Sequence, residues 1–187
     1  MPHLATARLT IVPFTLDLLR AALRDPAIVG QRLRLRVPAD WPGSDIAAAL
    51  PSFIRQLEPD PSQDDWGVHL VGHTAERTLI GFAGCNNGPP DAAGTVEIGY
   101  DVLPAYQRHG YATEAMSAIM TWLFAQPRVR RVIADCDVDN IASRRVLERL
   151  GLRQQAPTDD RLNWALSRED WLALPAVPPT PLPTMKN

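Results

Sequence analysis

Long apolar runs are missing from this chain. No stretch approaches the ~20 residues that a membrane-spanning helix needs, so no membrane partner is expected. The opening MPHLATARLT lacks the extended apolar core of a secretory signal, and a cytoplasmic protein is the expectation. Cysteine is scarce as well. Cys85 and Cys136 make no disulfide framework; their apolar neighbours suggest buried free thiols, with a single bridge as the alternative. No sign of charge dominates, because a formal net charge of −2 and a pI near 6.1 give no electrostatic footprint for nucleic acid. Metal-ligand patterns are thin too. His69 and His73 are four apart, a ligand spacing only on a helix, and on a strand they would lie ~13 Å apart, so no metal is expected.

What is present suits one folded domain. A length of 187 residues, with 45% hydrophobic and 21% charged residues, is enough for a substantial core. The 18 prolines are uneven, and PAVPPTPLPTMKN (175–187) cannot form regular hydrogen-bonded structure. The expected division is a domain over 1–174 and a proline-rich tail over 175–187, extended or strapped against the domain.

ARLTIVPF reads as a strand, and TLDLLRAALRD as an amphipathic helix capped by Thr15. Residues 26–43 read as irregular. Within them Arg32, Arg34 and Arg36 alternate with Leu33, Leu35 and Val37, which would make one edge basic if the segment is extended: a solvated face or an anion site. SDIAAALPSFIRQLEPD reads as a helix begun by Ser44 and kinked or broken at Pro51. WGVHLVGHT and TLIGFAGCNN read as strands joined by a turn at 75–77. In TVEIGYDV (95–102), Val96, Ile98 and Tyr100 share one strand face while Glu97 and Asp101 share the other. A helix over about 110–125 carries Ala112, Ala115, Met116, Ile119 and Leu123 as its apolar stripe. RVRRVIADCDV is a further strand, NIASRRVLERLG a helix capped by Asn140 and stopped by Gly151, RLNWALS a late strand and REDWLAL a terminal helical turn. Strands early, a strand–helix–strand–helix unit, then strands again make a mixed α/β sheet domain.

One turn stands apart. In YQRHGYATEA (106–115) the chain passes from strand to helix through glutamine, arginine, histidine and glycine, with no acid until the helix has begun. A helix N-terminus offers free N–H groups and partial positive charge, a natural seat for phosphate. Gly110 permits close approach and positive φ. The turn is neither a Walker A loop nor a dinucleotide fingerprint, since no Gly-Lys-Ser/Thr follows and the glycine triplet is missing. Taken alone, such a turn is a packing device or a ligand site.

EIGYDVLPAYQRHGYATEA followed by NIASRRVLERLGL resembles the GNAT superfamily of acetyl-CoA-dependent N-acetyltransferases, within it the branch of ribosomal-protein alanine and serine N-terminal acetyltransferases. The family's Gln/Arg-x-x-Gly-x-Gly/Ala loop is met at Gln107, Gly110 and Ala112, and its helix elements at Asn140, Ser143, Leu150 and Gly151, with Leu152 in place of a phenylalanine. The likeness runs over residues 5–172, and its specific part is 95–152.

That resemblance implies an α/β (α+β) fold, with a mixed, mostly antiparallel central sheet splayed at the cofactor site and flanked by helices, and acetyl-CoA as co-substrate. It places the pyrophosphate on the backbone of Arg108, His109, Gly110, Tyr111, Ala112 and Thr113, and the pantetheine arm along Val102 and Leu103, one of whose N–H groups would polarise the thioester carbonyl, a kind of donor worth ~3 kcal/mol. Asn140 would bond the pantetheine amide, cap its helix, or do both. The tyrosine that many members present seven residues after the asparagine is Leu147 here, so Ser143 becomes the candidate donor to the departing sulfur. Glu97 becomes the candidate base through a water, against the plainer reading of a solvated sheet carboxylate. Arg144 and Arg145 point about 100° apart, so at most one reaches a 3′-phosphate. The acceptor is a primary amine, either a protein or peptide N-terminus or a small molecule, and segment 26–60 would shape its pocket, with Trp41 and Trp66 as lining or core residues. An α-amine of pKa ~8 suits a site with one carboxylate better than a lysine near 10.4, which at pH 7 is neutral in only about one molecule per thousand. A homodimer is compatible with the sequence. The rival reading is a non-catalytic module that binds acetyl-CoA or mediates contacts.

Overall fold

The computed structural model describes residues 3–158 and 160–174; the proline-rich segment 175–187 lies outside the described residues. In chain order the elements are β1 (Leu4–Ala5), β2 (Leu9–Pro13), α1 (Leu16–Arg24), α2 (Pro26–Leu33), α3 (Ser44–Leu57), β3 (Val68–His73), β4 (Thr78–Cys85), β5 (Thr95–Val102), α4 (Tyr111–Ala125), β6 (Arg131–Asp137), α5 (Ile141–Arg149), β7 (Arg153–Gln154), β8 (Arg161–Ser167) and α6 (Arg168–Ala173). Short 3-10 turns at Pro61–Trp66 and Pro104–Tyr106 interrupt the connections. Among the described residues the strands form one sheet in the order β1-β2-β3-β4-β5-β6-β8-β7. Every pairing is antiparallel except β5 with β6. The mixed, mostly antiparallel sheet that the resemblance implied is therefore the one observed.

Alternation along the strands builds a core on each face. Val71, Ile80, Val96 and Ile98 pack with Met116, Ile119, Met120 and Leu123 of α4 and Leu147 of α5. Leu70, Leu79 and Phe82 turn the other way, onto Leu19 of α1, Val29 of α2 and Leu50 of α3. Trp41 belongs to this second core. It is 3% exposed and stacks on Phe82 at 5.5 Å, so it does not line a pocket. Trp66 packs on Trp122 at 4.8 Å. Cys85 and Cys136 are both buried free thiols, as expected.

Two local expectations are corrected. Residues 26–33 are helical, because the Asp25 side chain accepts the Ala27 N–H at 2.9 Å and Pro26 occupies the first turn, where its missing N–H costs nothing. The arginine alternation therefore makes no basic edge. Arg32 pairs with Asp17, Arg34 takes a left-handed conformation after the helix, and Arg36 reaches Thr78 Oγ1 at 3.2 Å. Helix α3 begins at Ser44 as expected, behind Gly43, but it runs unbroken through Pro51 to Leu57.

Arg168, at the start of α6, fastens the far end of α4. Its guanidinium donates to the carbonyls of Phe124 and Gln126, both at 2.5 Å, and its Nε to Val129 O at 2.8 Å. These are charge-assisted bonds to carbonyls that the helix end leaves open. Replacing Arg168 with methionine strands them, and the expected loss is about 2–3 kcal/mol, read as a Tm lower by roughly 4–12 °C in thermal denaturation. An unchanged Tm would show the contact to be idle.

Candidate active site

The parallel pair is short. β5 and β6 are in register only at Thr95↔Arg131, Val96↔Val132 and Glu97↔Ile133. Beyond that point β5 pairs with β4 from Ile98 to Val102, while β6 pairs with β8 from Ala134 to Asp137. Two strands that continue without pairing leave a gap with unspent backbone groups. In an antiparallel ladder alternate residues turn their N–H and C=O away from the partner. Leu103 N–H is committed to Ile80 O at 2.8 Å, so Tyr100 and Val102 are the positions whose groups face the gap. Leu103 therefore drops out as an oxyanion donor. The Val102 carbonyl accepts from Gln107 Nε2 at 2.9 Å, which ties the following loop to the strand.

Glu97 stands where the strands part, on the face opposite Val96 and Ile98. Its carboxylate is held at both oxygens: Asn86 Nδ2 donates to Oε1 at 3.0 Å and Asn87 Nδ2 to Oε2 at 2.7 Å. Neither asparagine stood out in the sequence, although NN directly follows β4. Gly99 makes this arrangement possible, because a Cβ there would fall 2.4 Å from Asn86 Oδ1. Asp101 shares the face. Its carboxyl is pushed above the usual range by burial, with Asp45 adding repulsion and the Val102 N–H pulling the other way.

Helix α5 forms the opposite wall. Asn140 caps it, its Oδ1 accepting Ser143 N–H at 2.9 Å. Its amide nitrogen and the Ser143 hydroxyl make no hydrogen bond among the described residues. The Tyr100 hydroxyl crosses from β5 to donate to Ser143 O at 3.2 Å, and burial is the main reason its phenol is pushed up to about 12. Leu147, at the position of the missing tyrosine, is 1% exposed in the core.

The loop before α4 has the backbone the sequence suggested. Arg108 and Gly110 sit at φ 64° and 82°, and no side chain caps the helix. The first intrahelical bond runs from Glu114 N to Gly110 O at 3.0 Å, which leaves the N–H groups of Tyr111, Ala112 and Thr113 open. Thr113 Oγ1 is buried without a partner. Three open amides and an orphaned hydroxyl at a positive helix end fit an anionic group such as a diphosphate. His73 and Tyr111 join in a hydrogen bond of 3.1 Å, and the His109 ring stacks on Tyr111 at 5.7 Å. Arg8, 101 positions away in the chain, grips the same loop through His109 O.

A three-residue parallel pair that parts beside a carboxylate, with an uncapped glycine-led helix after it, is the architecture of an acyltransferase sheet. The acetyltransferase (GNAT) domain matches residues 8–153, and the chain belongs to that family. The uncharacterized N-acetyltransferase YjdG of Bacillus subtilis (strain 168) is 27% identical over 164 residues, covering 88% of this chain and 97% of that protein. Among solved structures, the ribosomal-protein-S5-alanine acetyltransferase from Vibrio fischeri superposes with a TM-score of 0.65 at 15% identity, covering 91% of this chain and 99% of the other. RimL, the ribosomal L7/L12 alpha-N-protein acetyltransferase solved with coenzyme A, gives 0.61 at 17% identity, covering 87% and 95%. Among the described residues no helix is long and apolar enough to cross a membrane.

Proposed function

We propose that the protein transfers acetyl from acetyl-CoA to a primary amine by direct attack in a ternary complex, with a protein or peptide α-amine as the favoured acceptor and a small amine as the second. The observation that carries this reading is the gap opened where β5 and β6 cease to pair after Glu97 and Ile133.

Acetyl-CoA, when bound, supplies an activated acetyl thioester. The open amides of Tyr111, Ala112 and Thr113, with Arg108 and His109 on the same turn, would hold its diphosphate. The Val102 N–H and the Asn140 amide nitrogen would hold the arm that carries the acyl group. Glu97, oriented by Asn86 and Asn87, takes a proton from the amine through a water. Ser143 Oγ, which makes no hydrogen bond among the described residues, donates to the departing sulfur from the first turn of α5. On the acceptor side, Glu97 and Asp101 lie on one face with Asp45 nearby, a negative field that draws an ammonium group.

The test is release of free thiol from acetyl-CoA against a panel of amines and N-terminal peptides. Amine-dependent release is expected, greatest with α-amines near neutral pH. Tight coenzyme A binding with no release across the panel would leave only the non-catalytic binding module. A finer check lies at Gly99. Alanine there displaces the Asn86 side chain and releases one of the two Glu97 oxygens, so kcat should fall about tenfold, the worth of one lost hydrogen bond to a charged group. The KM for acetyl-CoA should hold. A Gly99→Ala enzyme with full kcat would show that the asparagine does not orient the base.

A further inference from the structure

The turn before α4 is gripped from outside by a residue 101 positions away in the chain. Arg8, just before β2, sends Nε to Glu114 Oε2 at 2.7 Å and Nη2 to the same oxygen at 2.6 Å, while its backbone N–H meets Glu114 Oε1 at 3.0 Å. Its Nη1 donates to His109 O at 3.1 Å, inside the turn, and its guanidinium carbon lies 4.5 Å from the centre of the Tyr111 ring. Thr6 Oγ1 completes the shell of Glu114 at 2.5 Å. One side chain thus holds a carbonyl, a ring and an acid on three positions of the loop and first turn of α4.

We infer that Arg8 is a positioning residue for diphosphate binding: it fixes the turn around Gly110 and neutralises Glu114, which would otherwise set an uncompensated negative charge one turn from the phosphates. The inference rests on the acetyl-CoA reading above. Its physical content is a division of labour. An acid in the first turn of a helix suits the helix dipole and so stabilises the fold with or without Arg8. The same acid repels a diphosphate bound at that helix end unless a cation masks it. Arg8 is 44% exposed at its side chain, so its ion pair contributes little to global stability. Its removal should therefore register in coenzyme A binding far more than in Tm.

Calorimetry with coenzyme A, dephospho-coenzyme A and pantetheine tests this directly. Arg8→Ala should weaken both diphosphate-bearing ligands alike, by about 10–100-fold, while pantetheine, which lacks the diphosphate, binds as it does to the wild type. Tm should move by no more than a few degrees. In turnover, the KM for acetyl-CoA should rise while kcat stays within about twofold. Adding Glu114→Gln to Arg8→Ala should recover several-fold of the lost affinity, because the unmasked charge is gone; a brace acting by shape alone predicts no recovery or a further loss. Arg8→Lys keeps the charge without the forked geometry and should fall between. Wild-type protein that ignores coenzyme A sinks the acetyl-CoA reading and this inference together. Wild-type binding with an unaffected Arg8→Ala, or a loss equal for pantetheine, overturns the inference alone.

Discussion

Glutamine at position 97 should lower kcat with an α-amine acceptor by about 10²–10³-fold at pH 7, with the KM for acetyl-CoA unchanged. Glutamine keeps the size of the side chain and its one amide oxygen still accepts from Asn86 or Asn87, so the gap and its backbone donors remain. What it loses is a site for the proton. The residual rate should then follow the fraction of acceptor that is already neutral, rising as pH climbs towards the amine pKa of ~8 and flattening beyond it. A lysine-like amine near 10.4 should suffer more at the same pH. Steady-state rates with paired α-amine and alkylamine acceptors, measured between pH 6 and 9, decide the matter. Equal kcat for wild type and variant throughout that range would remove Glu97 from the chemistry and leave it a structural carboxylate bonded to two amides.

A second large effect is expected in acid stability. His69 on β3 is 1% exposed, and burial drives its imidazole pKa from 6.5 to about 3. The folded chain holds this residue neutral, whereas the unfolded chain protonates it below about 6.5. Its contribution is complete above pH 6.5 and is lost as pH falls towards 3, where the unfolded state binds one proton more than the folded one. The limiting slope is ~1.4 kcal/mol per pH unit, so on the order of 2–3 kcal/mol disappears between pH 6.5 and 4.5. His69→Leu should flatten that part of the curve in urea unfolding at a series of pH values. Parallel curves for the two proteins would mean that the imidazole titrates normally, against its burial.

Much of this could be read in the chain because it is local. Period-two alternation in 95–102 placed Glu97 opposite Val96 and Ile98, and Gly110 announced the positive φ it adopts, 82°. Thr15 and Asn140 cap the helices they were expected to cap. The failure over 26–33 was local as well. Two signals competed, an arginine–leucine alternation and an Asp-Pro start, and the cap prevailed because Asp25 and Pro26 satisfy the helix's first turn. His73 shows the other limit: its hydrogen bond to Tyr111 spans 38 positions, and no spacing rule reaches that far.

The amino-acid order by itself determined which segments form strands and helices, where glycine opens the backbone and which acid faces away from Val96 and Ile98, since these follow from propensity, capping and alternation over a few residues. Only the tertiary structure decided where β5 leaves β6, that Asn86 and Asn87 clasp Glu97, that Leu103 spends its amide on Ile80, and that Arg8 reaches the turn before α4. Each of those joins positions that are distant in the chain or depends on strand register. Register is settled by packing the whole sheet at once, not by the residues nearby.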